Sequence, residues 1–81
     1  MADRHLDLKG LKCPWPILKT GKLMKELDAG ATIEVLATDA GAVQDFEDYC
    51  EVTGHQLVES DVSSDVYRFV LRKVKREAHP K

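Results

Sequence analysis

The 81 residues are enough for one small domain, whose core must be built from a few well-used apolar faces. Hydrophobic residues make up 43% of the chain and charged residues 32%, the balance of an ordinary globular domain, which argues against disorder and against a membrane-embedded protein. The net charge of −2 supplies no field that would draw in nucleic acid, and no apolar run approaches the roughly 20 residues that span a bilayer.

The elements follow in chain order. Leu6 and Leu8 alternate with Asp7 and Lys9, a short first strand. Gly10 punctuates the turn that follows. Pro14 to Asp28 reads as the first helix, with Ile17, Thr20, Leu23, Met24 and Leu27 on one stripe and Gly30 as its stop. Gly21 inside it costs about 1 kcal/mol relative to alanine, which a close packing partner would explain. Ile33, Val35 and Ala37 form one face of a second strand, apolar enough to be central. Asp39 is placed as the N-cap of a second helix carrying Val43, Phe46, Tyr49, Cys50 and Thr53, closed by Gly54. Leu57 and Val58 belong to a third strand, Asp61 to Asp65 has turn composition, and Tyr67, Phe69 and Leu71 mark a fourth strand.

The order β-α-β-α-β-β, with right-handed crossovers, predicts an α/β two-layer sandwich: a mixed four-stranded sheet with both helices on one face. The whole chain, 1–81, is expected to form a single domain with an ordered core over about 5–74 and a polar tail over 75–81.

The chemistry concentrates at Cys13-Pro14-Trp15-Pro16. Proline is tolerated in the first turn of a helix, where its missing N–H would have had no partner. Cys13 then falls at or beside the N-cap, at the positive end of the helix dipole, and a lowered thiol pKa is expected there. The same prolines leave the Trp15 and Ile17 amides to face a sulfur anion. Where a C-x-x-C redox motif has its second, resolving thiol, this chain has Pro16. Sulfur attached to Cys13 would therefore persist until another protein took it, which is the logic of a carrier.

Gly10-Leu11-Lys12-Cys13-Pro14-Trp15-Pro16 resembles the G-L-x-C-P-x-P signature of the TusA/SirA-like sulfur-carrier family. The likeness extends from Leu6 to Val74, through Thr38-Asp39, the helix with Cys50, His55-Gln56-Leu57-Val58 and Tyr67-Arg68-Phe69. It implies a sulfurtransferase in which Cys13 receives sulfane sulfur as a persulfide from a cysteine desulfurase or rhodanese-like donor. The sulfur then passes to an acceptor protein with a reactive cysteine, in a relay serving tRNA thiolation, molybdenum-cofactor assembly or sulfur oxidation. Two positions depart from the family pattern: Ala40 follows Asp39 where proline is frequent, and Trp15 stands where the tRNA-thiolation branch commonly has a charged residue.

Around Cys13, Pro14, Pro16, Gly10 and Lys12 are read as supporting the motif. Trp15, expected to be an exposed aromatic, together with Lys9, Lys19 and Lys22, is read as the partner-binding set; Lys9, Lys12, Lys19 and Lys22 read either as an electropositive collar that favours the thiolate and docks an acidic partner or as a solvated helix surface. Cys50 sits on an apolar helix face and is expected in the core, and both cysteines are expected as free thiols. His5, His55 and His79 lack metal-ligand spacing, so no metal and no cofactor are expected. Arg72, Lys73, Lys75 and Arg76 form a short basic run, read as a solvated strand end and tail. The opening Met1-Ala2-Asp3-Arg4-His5 has no signal-peptide core, so a cytoplasmic monomer with transient complexes is expected, without membrane or direct nucleic-acid contacts. Two other readings compete: a monothiol glutaredoxin-like redox protein, weakened by the absence of any proline between Pro16 and Pro80, and a non-catalytic RNA-binding or regulatory module.

Overall fold

The computed structural model describes residues 2–74; the tail over 75–81, with Lys75, Arg76 and His79, lies outside the described residues. The chain runs β1 (Arg4–Leu8), α1 (Trp15–Glu26), β2 (Thr32–Ala37), α2 (Gly41–Thr53), β3 (Gln56–Asp61) and β4 (Tyr67–Arg72). The strands form one mixed sheet in the order β1-β2-β4-β3. β1 lies parallel to β2, and β4 lies antiparallel to both β2 and β3. Both β-α-β crossovers lay their helix on the same face, so the two-layer sandwich expected from the element order is the fold observed.

Period-two alternation decides which side of each strand is dry. Ile33, Val35 and Ala37 of β2, with Phe69 and Leu71 of β4, are fully buried beneath the helices. α1 contributes Thr20, Leu23 and Met24, and α2 contributes Ala42, Phe46 and Cys50. Phe46 stacks on Phe69 with ring centroids 4.7 Å apart, tying α2 to the sheet. Gly21 meets Tyr49 of α2: a β-carbon there would lie 3.7 Å from the Tyr49 ring, so the glycine marks the close approach of the two helices. The other face of the sheet is open and carries charge instead. Glu34 on β2 accepts a hydrogen bond from Arg68 and pairs with His5, and Arg68 reaches Glu59 on β3 at 2.9 Å, so one polar network crosses all four strands.

The helix ends differ from the sequence expectation for physical reasons. α1 stops at Glu26, with Leu27 already extended, because the Lys73 ammonium donates to the Met24 and Leu27 carbonyls, 2.7 Å each. Gly30, at φ +91°, is the turn into β2 and donates to the Lys73 carbonyl, so it is not the helix stop. Lys73 is thereby a capping residue, and of the basic run only Arg72 is an exposed member among the described residues. α2 closes as expected at Gly54, in the left-handed conformation, with its N–H on the Cys50 carbonyl.

Candidate functional site

The site lies at the end of the sheet where β1 and β2 hand over to their helices. Leaving β1, the chain turns at Gly10, whose φ of +85° suits glycine and whose N–H donates to the Thr38 hydroxyl at the end of β2. Leu11 donates back to the Leu8 carbonyl. Cys13 follows on the exposed segment, joined to Pro14 by a cis peptide, and α1 begins with Pro14 as N-cap and Pro16 buried in its first turn. The sequence expectation of a proline-braced helix start is met, with Cys13 immediately outside the cap.

The surroundings of the sulfur differ from those expected. The Trp15 N–H, expected to face a sulfur anion, instead donates to the Lys12 carbonyl at 2.8 Å. The groups that reach Cys13 come from the other side of the sheet end. The Asp39 carboxylate accepts the Cys13 backbone N–H at 3.2 Å, so Asp39 holds the cysteine loop and provides no side-chain cap for α2, whose N-cap is Ala40. Asp45, in α2, accepts a hydrogen bond from the Cys13 thiol at 2.9 Å. Between them lies Gly41. A β-carbon there would sit 3.0 Å from the Asp39 carboxylate oxygen, 3.6 Å from Cys13 Cβ and 4.0 Å from its sulfur. The glycine is the space into which Cys13 fits.

This geometry reverses the expected electrostatics. The hydrogen bond to Asp45 pushes the Cys13 thiol pKa up, and desolvation and the charges of Asp45 and Asp39 push it the same way. None of the lysines expected to form a collar is among the groups that act on the Cys13 thiol. Lys9 pairs loosely with Asp7 at 3.8 Å, Lys12 is exposed on the loop, and Lys19 and Lys22 border a shallow groove with Leu6. The helix-end field is therefore outweighed by two carboxylates that local sequence does not reveal.

Trp15 is 56% exposed and Leu18 55%. A shallow groove between the helices is lined by Ile17, Leu18, Gly21 and Tyr49 with Lys22 and Lys25, and a second, sharing Ile17 and Tyr49, runs past Val52 to Asp45 and Asp48. Cys50 is the opposite case: it is buried in the core, and burial raises its thiol pKa to about 11. Neither cysteine is in a disulfide. His5 pairs with Glu34, and His55 accepts the Val74 N–H and lies against the Tyr49 ring.

The family model described as Sulfurtransferase TusA matches residues 4–73, nearly the whole described fold. The chain belongs to the TusA family. The Sulfur carrier protein TusA of Allochromatium vinosum is 38% identical over 71 residues, covering 88% of this chain and 93% of its own. YrkF of Bacillus subtilis, provisionally named a sulfur carrier protein, is 46% identical over 68 residues; the match covers 84% of this chain but 37% of that longer protein. Among solved structures, a SirA-like protein from Desulfitobacterium hafniense superposes with a TM-score of 0.77, covering 89% of this chain and 99% of that one, at 24% identity. That last likeness is one of fold. TusA-family membership makes this chain a sulfur carrier by kind, and a carrier needs a donor and an acceptor. No helix among the described residues is long and apolar enough to cross a membrane.

Two residues at the site were not singled out by sequence reasoning, Asp45 and Gly41. They lie one helical turn apart at the start of α2, so they share a face, and a glycine followed four residues later by an acid beside an apolar stripe is the signal that could have found them.

Proposed function

We propose that this protein is a sulfurtransferase that carries sulfane sulfur as a persulfide on Cys13 and passes it to an acceptor protein thiol. The observation that carries the reading is the contrast between the two thiols: Cys13 is exposed, in the Cys13-Pro14-Trp15-Pro16 segment that resembles the family signature, and Cys50 is buried in the core. In the loading step the Cys13 thiolate attacks the outer sulfur of a donor persulfide. The new S–S bond joins Cys13 to that sulfur, the old S–S bond breaks, and the donor leaves as its thiolate. Unloading repeats the exchange with the acceptor as nucleophile. Gly10, Pro14 and Pro16 fix the loop and helix start that present the sulfur, with Lys12 beside it. Trp15 and the neighbouring Leu18 offer an apolar anchor to a docking protein, and Lys9, Lys19 and Lys22 are assigned to the charged part of that docking surface, Lys22 lining a groove with Leu18. A cysteine desulfurase or rhodanese-like protein fits as donor; the relay could end in tRNA thiolation, molybdenum-cofactor assembly or sulfur oxidation, and an intracellular setting fits free thiols.

The test is intact-mass spectrometry of reduced protein treated with a persulfide donor. One added sulfur, lost in Cys13→Ser and kept in Cys50→Ser, is the expected result. An unchanged mass, or a mass two hydrogens lighter that marks an internal disulfide, contradicts it and favours a redox protein in which Cys50 takes part.

A further inference from the structure

We propose that Asp45 is a positioning residue that latches the empty Cys13 thiol against α2 and releases the sulfur once it is loaded. Three residues, one from the β2–α2 loop and two from the start of α2, converge on one cysteine. Asp39 holds its backbone N–H, Gly41 leaves room for its β-carbon, and Asp45 accepts its thiol hydrogen at 2.9 Å. Only a protonated thiol can donate that bond. A thiolate in the same place would set a negative sulfur against a carboxylate oxygen, with the second carboxylate of Asp39 close by. The charged groups acting on the sulfur are Asp45 from α2 and Asp39 from the loop before it, and Lys12 is its exposed chain neighbour. The same two carboxylates raise the thiol pKa, in the direction the latch requires.

Loading undoes the latch by its own chemistry; this half rests on the reading of Cys13 as a persulfide carrier. The thiol proton leaves to solvent or to the departing donor thiolate as the S–S bond forms. The Cys13 sulfur, now bonded to carbon and sulfur, has no hydrogen to give Asp45. The added sulfur extends about 2 Å from it, and a persulfide ionises more readily than a thiol, so the outer sulfur is repelled by both carboxylates. The empty carrier is thus the quiet form, with little thiolate exposed to adventitious electrophiles, and the loaded carrier presents its sulfur outward past Trp15.

The experiment measures the alkylation rate of Cys13 by iodoacetamide against pH in native protein, Asp45→Asn and Asp45→Ala, with Asp48→Asn as control. Asp48 is an exposed acid on the same helix, bonded to Gln44 and not to the cysteine, so it removes the same charge without touching the latch. Both Asp45 variants are expected to alkylate about tenfold faster at neutral pH, with the midpoint moved to lower pH, and Asp48→Asn is expected to superpose on native. Profiles of the Asp45 variants that coincide with native, or a shift as large in Asp48→Asn, overturn the proposal. This arm uses no sulfur donor, so it stands or falls independently of the carrier reading. In the second arm, proteins loaded with sulfur are alkylated at the outer sulfur. Equal rates in native and Asp45→Asn are expected, and a difference as large as that of the empty forms overturns the release.

Discussion

The two cysteines of this chain are restrained by different means. Cys13 stands on an exposed loop, and what raises its pKa is first of all a hydrogen bond to one carboxylate. Cys50 stands in the core of the same fold, and what raises its pKa, to about 11, is burial. The direction is shared and the physics is not. A restraint made of charge can be lifted by one cation or by chemistry at the sulfur, whereas a restraint made of burial is lifted only by opening the core. Reactivity at Cys13 can therefore be governed by a partner, and reactivity at Cys50 by stability.

The largest way to break the contrast is to open the core around Cys50. Phe46→Ala removes a fully buried ring stacked on Phe69, and should cost about 3–5 kcal/mol in denaturant unfolding. Alkylation of Cys50 in the native state should accelerate by the corresponding loss of protection, while Cys13 keeps its own rate and pH profile. Equal acceleration of both thiols would show that they share one opening event.

A smaller effect follows from ionisation. The Cys50 thiol titrates near 9.0 when unfolded and about 11 when folded. Below pH about 9 it is protonated in both states, and its contribution to stability is fully present. Between 9 and 11 the unfolded chain ionises first, so stability falls as pH rises, until the folded thiol also titrates near 11. Subtracting the pH profile of Cys50→Ala from that of native protein by chemical denaturation should isolate this alkaline loss; a flat difference would contradict the burial argument.

The smallest effect on stability, and the most local, is expected from Gly41→Ala. The new β-carbon would crowd the Asp39 carboxylate at 3.0 Å and Cys13 Cβ at 3.6 Å. The carboxylate can swing away, at the cost of its exposed bond to the Cys13 amide, so the loss should stay within about 1 kcal/mol. Its readout is the Cys13 alkylation profile, which should shift while Cys50 stays protected.

These contrasts also mark what the sequence made legible. Alternation in β2 and β4 and the 3.6-residue stripes of both helices are local patterns, and they led to the observed sandwich. Cys13 at a proline-braced helix start, Trp15 exposed beside it and Cys50 buried were readable for the same reason. The sign of the Cys13 shift was not. Helix-end field and neighbouring lysines are written close to the cysteine, but the deciding carboxylates are 26 and 32 residues away and arrive only when β2 and α2 fold against the loop. Gly30 and Lys73 teach the same lesson at the far end of α1: a glycine after a helix looks like its stop until a lysine just past the last strand takes the carbonyls.

The most direct measurement is a full loading cycle followed at peptide resolution. Native protein is loaded from a persulfide donor, mapped by digestion and mass spectrometry, and then treated with cyanide, which removes sulfane sulfur as thiocyanate. The expected result is one added sulfur on the peptide containing Cys13, none on the peptide containing Cys50, and return to the starting mass after cyanide. Sulfur found on Cys50, or a disulfide joining the two peptides, would contradict the account.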